Sequence, residues 1–224
     1  MLKEKIAKAL REIYFISPFR RYFFYRYPYM FNPVQLMFLC QCIEKTLMIE
    51  GDRLEIGCGY GHTTVFLNKF LESSNALKPY YCIDTFCGFT IKDMQYEESY
   101  RDNSPNRYKE KFIINKKKWV DFTIRSNGLT NVKTFEADIN SFNFEQNNIK
   151  KLSFCLLDVD LYLPMKAALE KVYPLMETGG IIIVDDCMPH EYFDGALQAY
   201  NEFIEKHNLP KKIVHERIGV IEKL

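Results

Sequence analysis

Two apolar runs, Leu152-Ser-Phe-Cys-Leu-Leu157 and Ile181-Ile-Ile-Val184, each lead straight into aspartates: Asp158 and Asp160 after the first, Asp185 and Asp186 after the second. A strand with one wet face alternates apolar and polar residues, whereas a run that is apolar almost throughout needs cover on both sides. Such strands belong at the centre of a parallel sheet. Short apolar segments near 53–57, 80–84 and 131–136 add three more strands, and helical stretches at about 61–73, 107–126 and 163–177 fall between them. This alternation is the β-α-β rhythm of a mostly parallel sheet with helices on both faces. The predicted fold class is α/β and Rossmann-like.

Asn32-Pro33 reads as a helix start, an N-cap followed by proline at the first helical position. Leu36, Leu39, Cys40, Ile43 and Leu47 then recur at helical spacing. One more helix is expected at about 193–207, followed by a terminal strand pair within 211–224. Residues 86–106 show no clear period and read as a long loop, the kind of connection that usually serves function.

The chain has 224 residues, 47% hydrophobic and 26% charged, with 30 Lys and Arg against 29 Asp and Glu. That balance excludes a disordered chain and a strongly basic nucleic-acid coat. No apolar run approaches the ~18 residues of a membrane helix, and Met1-Leu-Lys-Glu-Lys5 lacks the apolar core of a signal peptide. The expectation is a soluble cytoplasmic protein without a transmembrane segment and without a nucleic-acid partner. Seven cysteines, an odd count without a C-x-x-C pair, read as reduced core residues. Residues 1–31 differ from the rest: they hold seven Lys or Arg against two Glu, and ten Tyr or Phe fall within residues 14–31. They form an aromatic-basic arm ahead of a domain at 32–224. A packing role or a homodimer contact is the default reading of this arm, with a lid over the acceptor and a membrane-surface contact also open.

Leu54-Glu55-Ile56-Gly57-Cys58-Gly59-Tyr60-Gly61-His62-Thr63-Thr64 joins the first strand to a helix. Glycines at such a turn let a nucleotide-like ligand approach the backbone. The spacing is G-x-G-x-G, with His62 where a dinucleotide fingerprint has its third glycine. Glu55 would repel a diphosphate but suits the cationic methionine end of S-adenosylmethionine. Tyr81-Cys-Ile-Asp84 ends the next strand in a carboxylate 23 residues beyond Gly61, where such folds grip a ribose diol. Asp138 ends the third strand, either to meet the adenine amino group or as a plain strand-end acid.

Adjacent parallel strands open their carboxyl ends into one crevice, so Asp158, Asp160, Asp185 and Asp186 converge there. Two carboxylates ~4 Å apart repel by roughly 4 kcal/mol at an effective dielectric of 20, which calls for a proton, a cation or wide separation. Oxygen ligands with room for water suit Mg²⁺. Capping of the following loop by Asp185 or Asp186 is the competing reading, and no cationic neighbour is evident in sequence. His190, just beyond the cluster, is a further general-base candidate. His62, His207 and His215 carry less signal.

Glu55-Ile-Gly-Cys-Gly-Tyr-Gly61, Ile83-Asp-Thr-Phe-Cys-Gly-Phe89, Leu157-Asp-Val-Asp-Leu-Tyr162, Tyr173-Pro174 and Gly179-Gly-Ile-Ile-Ile-Val-Asp-Asp186 together resemble the macrocin O-methyltransferase family over about residues 29–205. The resemblance implies a seven-stranded class I methyltransferase sheet and S-adenosylmethionine as cofactor. It places Asp84 on the cofactor ribose, with Thr85 and Phe86 beside it. It makes Asp158, Asp185 and Asp186 ligands of Mg²⁺, and a sugar or glycan hydroxyl the acceptor. The expected mechanism is in-line methyl transfer, with Asp158 or Asp160 taking the acceptor proton. Two departures, Leu163-Pro-Met165 after the tyrosine and Cys187 after the paired aspartates, are expected beside the acceptor pocket. Catechol-like acceptors share the same metal logic. A nicotinamide-dependent oxidoreductase would share the sheet but leaves the acidic cluster unexplained.

Overall fold

The computed structural model describes residues 2–20, 24, 27–101, 108, 109, 111–189 and 193–224, which separate into two compact units, Met1–Met30 and Phe31–Leu224. In the first unit, helix α1 (Leu2–Ile16) ends at Ser17, whose hydroxyl donates to the carbonyl of Tyr14 at 2.8 Å.

The second unit opens on α2 (Pro33–Lys45), set by a capping box. Asn32 Oδ1 accepts from the Gln35 N–H and Gln35 Oε1 from the Asn32 N–H, both at 2.9 Å. There follow β1 (Asp52–Ile56), α3 (His62–Ser73), β2 (Tyr80–Asp84), α4 (Ile91–Arg101), α5 (Lys117–Ser126), β3 (Val132–Glu136) and β4 (Leu152–Leu157). The chain closes with α6 (Tyr162–Val172), a 3₁₀ turn at Tyr173–Leu175, β5 (Met176–Val184), α7 (Asp194–Lys206), β6 (Ile213–Val214) and β7 (Ile218–Glu222). The seven strands form one sheet in the order β3-β2-β1-β4-β5-β7-β6, parallel except where β7 pairs antiparallel with β5 and β6. This is the α/β arrangement the strand pattern predicts.

Every residue of β4 is buried, as its apolar run requires. Leu54, Ile56, Cys155, Leu157, Ile182 and Val184 pack with Met165, Leu169, Tyr200 and Phe203 of α6 and α7 in the main core. Leu36, Leu39 and Ile43 of α2 and Leu67 and Leu71 of α3 are also buried. Ile56 stands opposite Leu157, and Leu157 opposite Val184, so the three strands end level. Strand order reverses between β1 and β4, the switch point at which such sheets bind ligands.

Three segments differ from the sequence expectation. The helix expected over 163–177 ends at Val172, with β5 already beginning at Met176. Residues 91–101, expected as loop, form α4, and the helix expected over 107–126 begins only at Lys117. The buried residues of α4 are Asp93 and Glu97, one turn apart, so its inward face is polar and carries no apolar period.

Candidate active site

Gly57 and Gly59 both take positive φ, +86° and +52°, a region that penalises a Cβ in most residues. At Gly57 the demand is also steric, because a Cβ would lie 1.8 Å from the carbonyl oxygen of Asp158. The turn after β1 therefore rests directly on the residue that follows β4. At Gly59 a Cβ would meet nothing within 4 Å, so the turn is open there. Its backbone is held from two sides: the Gly59 N–H donates to Asp84 Oδ2 at 2.8 Å, and Asn115 Nδ2 donates to the Gly59 carbonyl at 2.7 Å. Asp84 Oδ1 accepts from the Phe86 N–H at 2.7 Å. Burial raises the Asp84 carboxyl above its ordinary range, and these two N–H donors oppose that rise. Phe86 is buried with a φ of +52°, a strained conformation for an aromatic residue. Thr85 Oγ1 closes the turn on the Gly88 carbonyl at 2.6 Å. Tyr60 is exposed and Thr63 half-buried, while Gly61 N-caps α3.

Glu55 and Thr64 turn inward. Glu55 is 1% exposed, and its Oε2 accepts from Thr64 Oγ1 at 2.7 Å and from the Tyr80 hydroxyl at 2.8 Å. Burial pushes the Glu55 carboxyl up to about 7, with both hydrogen bonds acting the other way. The sequence suggests that this carboxylate meets a cationic ligand. Both of these contacts join β1, α3 and β2 beneath the turn. Asp138 is half-buried, and its Oδ1 accepts from the N–H and Nδ2 of Asn140 at 2.8 and 2.9 Å.

The second cluster lies at the ends of β4 and β5. Asp158, Asp160 and Asp186 each bring one carboxylate oxygen within 4.8 Å of the others. Asp160 and Asp186 adopt φ of +58° and +57°, which aspartate tolerates better than most residues. Arg217, in the terminal strand pair, donates from Nη2 to Asp185 Oδ2 at 2.8 Å and from Nη1 to Asp186 Oδ1 at 3.0 Å. It supplies the cationic neighbour that is not evident along the chain. One guanidinium among four carboxyls leaves excess negative charge. Burial first, and then the neighbouring acids, hold Asp158 well above the usual carboxylate range. Burial and a hydrogen bond with Asp186 do the same to Asp160. Burial and Asp186 push Asp185 up to about 7 against the pull of Arg217. Among the described residues, Asp185 Oδ1 is buried without a hydrogen-bond partner. The donor set of Asp158, Asp160 and Asp186 is made only of carboxylate oxygens, with Asp185 outside that group, and fits a hard divalent cation. His190 lies outside the described residues.

Sequence reasoning missed three residues that shape this edge. Arg217 is 31 residues from Asp186, and Asn115 falls where a helix is expected, although the helix begins only at Lys117. Glu97 is 1% exposed and joins α4 to the D-V-D-L-Y run, its Oε1 accepting from the Tyr162 N–H and its Oε2 from Arg101 Nε, both at 2.9 Å. No local pattern announces any of the three.

A sequence model of the macrocin-O-methyltransferase (TylF) family matches residues 30–220. The chain belongs to this family. It is an S-adenosylmethionine-dependent O-methyltransferase. No curated protein matches the sequence. Among solved structures the chain is similar to the O-methyltransferase NovP, at 18% identity and a TM-score of 0.71 over 88% of this chain and 83% of that one. It is also similar to the calicheamicin methyltransferase CalS11, at 19% identity and a TM-score of 0.65 over 98% and 91%. The apo form of CalS11 is described as a TDP-rhamnose 3'-O-methyltransferase. An O-methyltransferase from Bacillus cereus, solved in complex with SAH, matches at 16% identity and a TM-score of 0.55 over 88% and 84%.

Against the family pattern, the two departures prove to be core positions. Pro164, Met165 and Cys187 are all buried. A Cβ on Gly219 would stand 2.6 Å from Cys187 Sγ and 3.0 Å from the Tyr200 ring, so the thiol fills space under β7. Burial raises it far above its ordinary range. Pro164, Met165 and Cys187 are packed into the domain, and Leu163 is half-buried.

Proposed function

We propose that this macrocin O-methyltransferase family member methylates a hydroxyl of a sugar or glycan-type acceptor with the help of Mg²⁺. The observation that carries the reading is the convergence of Asp158, Asp160 and Asp186 at a strand end that also packs on the Gly57 turn. S-adenosylmethionine, when bound, supplies a methyl group activated by its sulfonium. Gly57, Gly59 and Gly61 would hold it, with Tyr60 and Thr63 at the exposed side of the turn, Asp84 at the ribose, Thr85 and Phe86 beside it and Asp138 at the adenine. Glu55 and Thr64 act from beneath by fixing the shape of the turn. The open space at Gly59 and the carboxylate beside it fit this cofactor.

Asp158 and Asp186, completed by Asp185 or Asp160, would hold the cation, whose Lewis acidity makes a bound hydroxyl more acidic. Arg217 restrains Asp185 and Asp186 from the far side and offsets part of their charge. Asp158 or Asp160, both at this strand end, would take the acceptor's proton. The O-methyl transfer of the family and the sugar named for the similar CalS11 protein support the acceptor class.

Methyl transfer from radiolabelled S-adenosylmethionine to nucleotide-linked sugars, simple glycosides and catechol, with Mg²⁺ and with chelator, tests the proposal. It stands if a sugar is methylated and chelation lowers turnover by roughly tenfold or more. Preference for catechol overturns the acceptor class, and indifference to chelation overturns the metal role.

A further inference from the structure

No residue of the amino-terminal unit is assigned a role in the chemistry above, and its charge sets it apart. Residues 1–30 carry seven Lys or Arg and two Glu, a net +5, in a chain whose total is +1, so the rest is acidic. On a helix of 3.6 residues per turn, Ile6, Ala9, Leu10, Ile13 and Ile16 of α1 fall in one arc. Glu4, Lys8, Arg11 and Glu12 fall in the opposite arc, with Lys3 and Lys5 at the borders. The apolar arc is open: Ile6 is 52% exposed, Leu10 49%, Ile13 59% and Ile16 83%. Within this unit Phe24 lies against the other side of the helix, its ring 5.4 Å from that of Phe15 and under the guanidinium of Arg11. Among the described residues of this unit, Phe24 thus leaves the apolar arc uncovered.

We propose that this unit is a membrane-surface anchor, with α1 lying in the interface of a bilayer that carries anionic headgroups. An apolar stripe on a short helix, bordered by lysines and followed by aromatic and arginine residues, is the pattern of an interfacial helix. Each Lys or Arg near an anionic surface adds to the attraction, and long lysine side chains keep their charge in the headgroup layer while their stems stay apolar. Charge decides against arm-to-arm pairing of two copies as the occupant, because two arms of +5 would be brought together. α1 anchors without crossing, since no helix among the described residues is long and apolar enough to span a membrane.

Flotation of the full chain with vesicles of phosphatidylcholine alone, and of phosphatidylcholine mixed with phosphatidylglycerol, tests the proposal. The wild type is expected to float with the mixed vesicles only, and less as salt rises. Ile6→Glu with Leu10→Glu and Ile13→Glu, or Lys3→Glu with Lys5→Glu and Lys8→Glu, is expected to lower the bound fraction by roughly tenfold or more. Calorimetric binding of S-adenosylmethionine, unchanged in both variants, shows that the methyltransferase unit is folded and keeps this inference separate from the acceptor assignment. Failure of the wild type to float, equal flotation of the apolar variant, or a dimer in gel filtration that the apolar variant abolishes without any vesicle binding overturns the proposal.

Discussion

The carboxyl edge of the sheet holds two clusters of acids with opposite energetics. On the β1–β2 side, both oxygens of Asp84 accept backbone N–H groups, and Glu55 is bonded to Thr64 and Tyr80. On the β4–β5 side, Arg217 pairs with Asp185 and Asp186 of the four acids, and one buried oxygen of Asp185 has no hydrogen-bond partner among the described residues. The first arrangement fixes the shape of a loop. The second holds charge in excess of what the chain neutralises, which is costly unless something cationic or a proton joins it. Acids near each other at one sheet edge thus serve two ends, and their hydrogen-bond partners tell which.

The seam between the two sides is where the largest effect is expected. Gly57→Ala forces a Cβ onto the Asp158 carbonyl at a positive φ. It should destabilise the fold by about 4 kcal/mol or more in a denaturant titration, together with loss of cofactor binding. Asp158→Asn tests the charged side alone. Turnover should fall by roughly a hundredfold or more, while the melting temperature without metal holds or rises because a repelling carboxylate is gone.

Glu55→Gln sharpens the contrast from the satisfied side through pH. The Glu55 carboxyl is raised by burial to about 7, so the native state binds its proton more tightly than the unfolded chain does. Its contribution is full below the unfolded value near 4.5 and is lost as pH rises through about 7. The Gln variant keeps acceptor contacts for Thr64 and Tyr80. It should match the wild type near pH 5 and exceed its stability by about 2 kcal/mol near pH 8, read from unfolding curves at both values. The smallest effect is assigned to Asp84→Asn, which retains one acceptor for the turn. S-adenosylmethionine affinity by calorimetry should weaken by roughly tenfold with little change in melting temperature.

How much of this was legible in the chain follows from how each element is buried. β4 announces itself because all six of its residues are apolar or small and buried. The start of β5 is hidden, since the helical reading runs to about 177 and Gly179-Gly180 interrupts the apolar run, although β5 runs from Met176. Helix α4 is hidden for the opposite reason: it buries Asp93 and Glu97, and a search for apolar spacing cannot see a polar face turned inward. The acids of the site were readable from their positions after strands. Arg217 was not, because its place beside Asp185 and Asp186 is set by the antiparallel return of β7 along β5.

Binding of Mn²⁺, a paramagnetic stand-in for Mg²⁺, to the protein with S-adenosylhomocysteine present tests the central contrast most directly. The spin-resonance signal of free Mn²⁺ reports how much of the ion is bound. One stoichiometric site that Mg²⁺ displaces, that Asp158→Asn removes and that Asp84→Asn leaves intact is the predicted result. No binding in the wild type, or a site that persists in Asp158→Asn, would contradict the assignment of the β4–β5 acids to a cation.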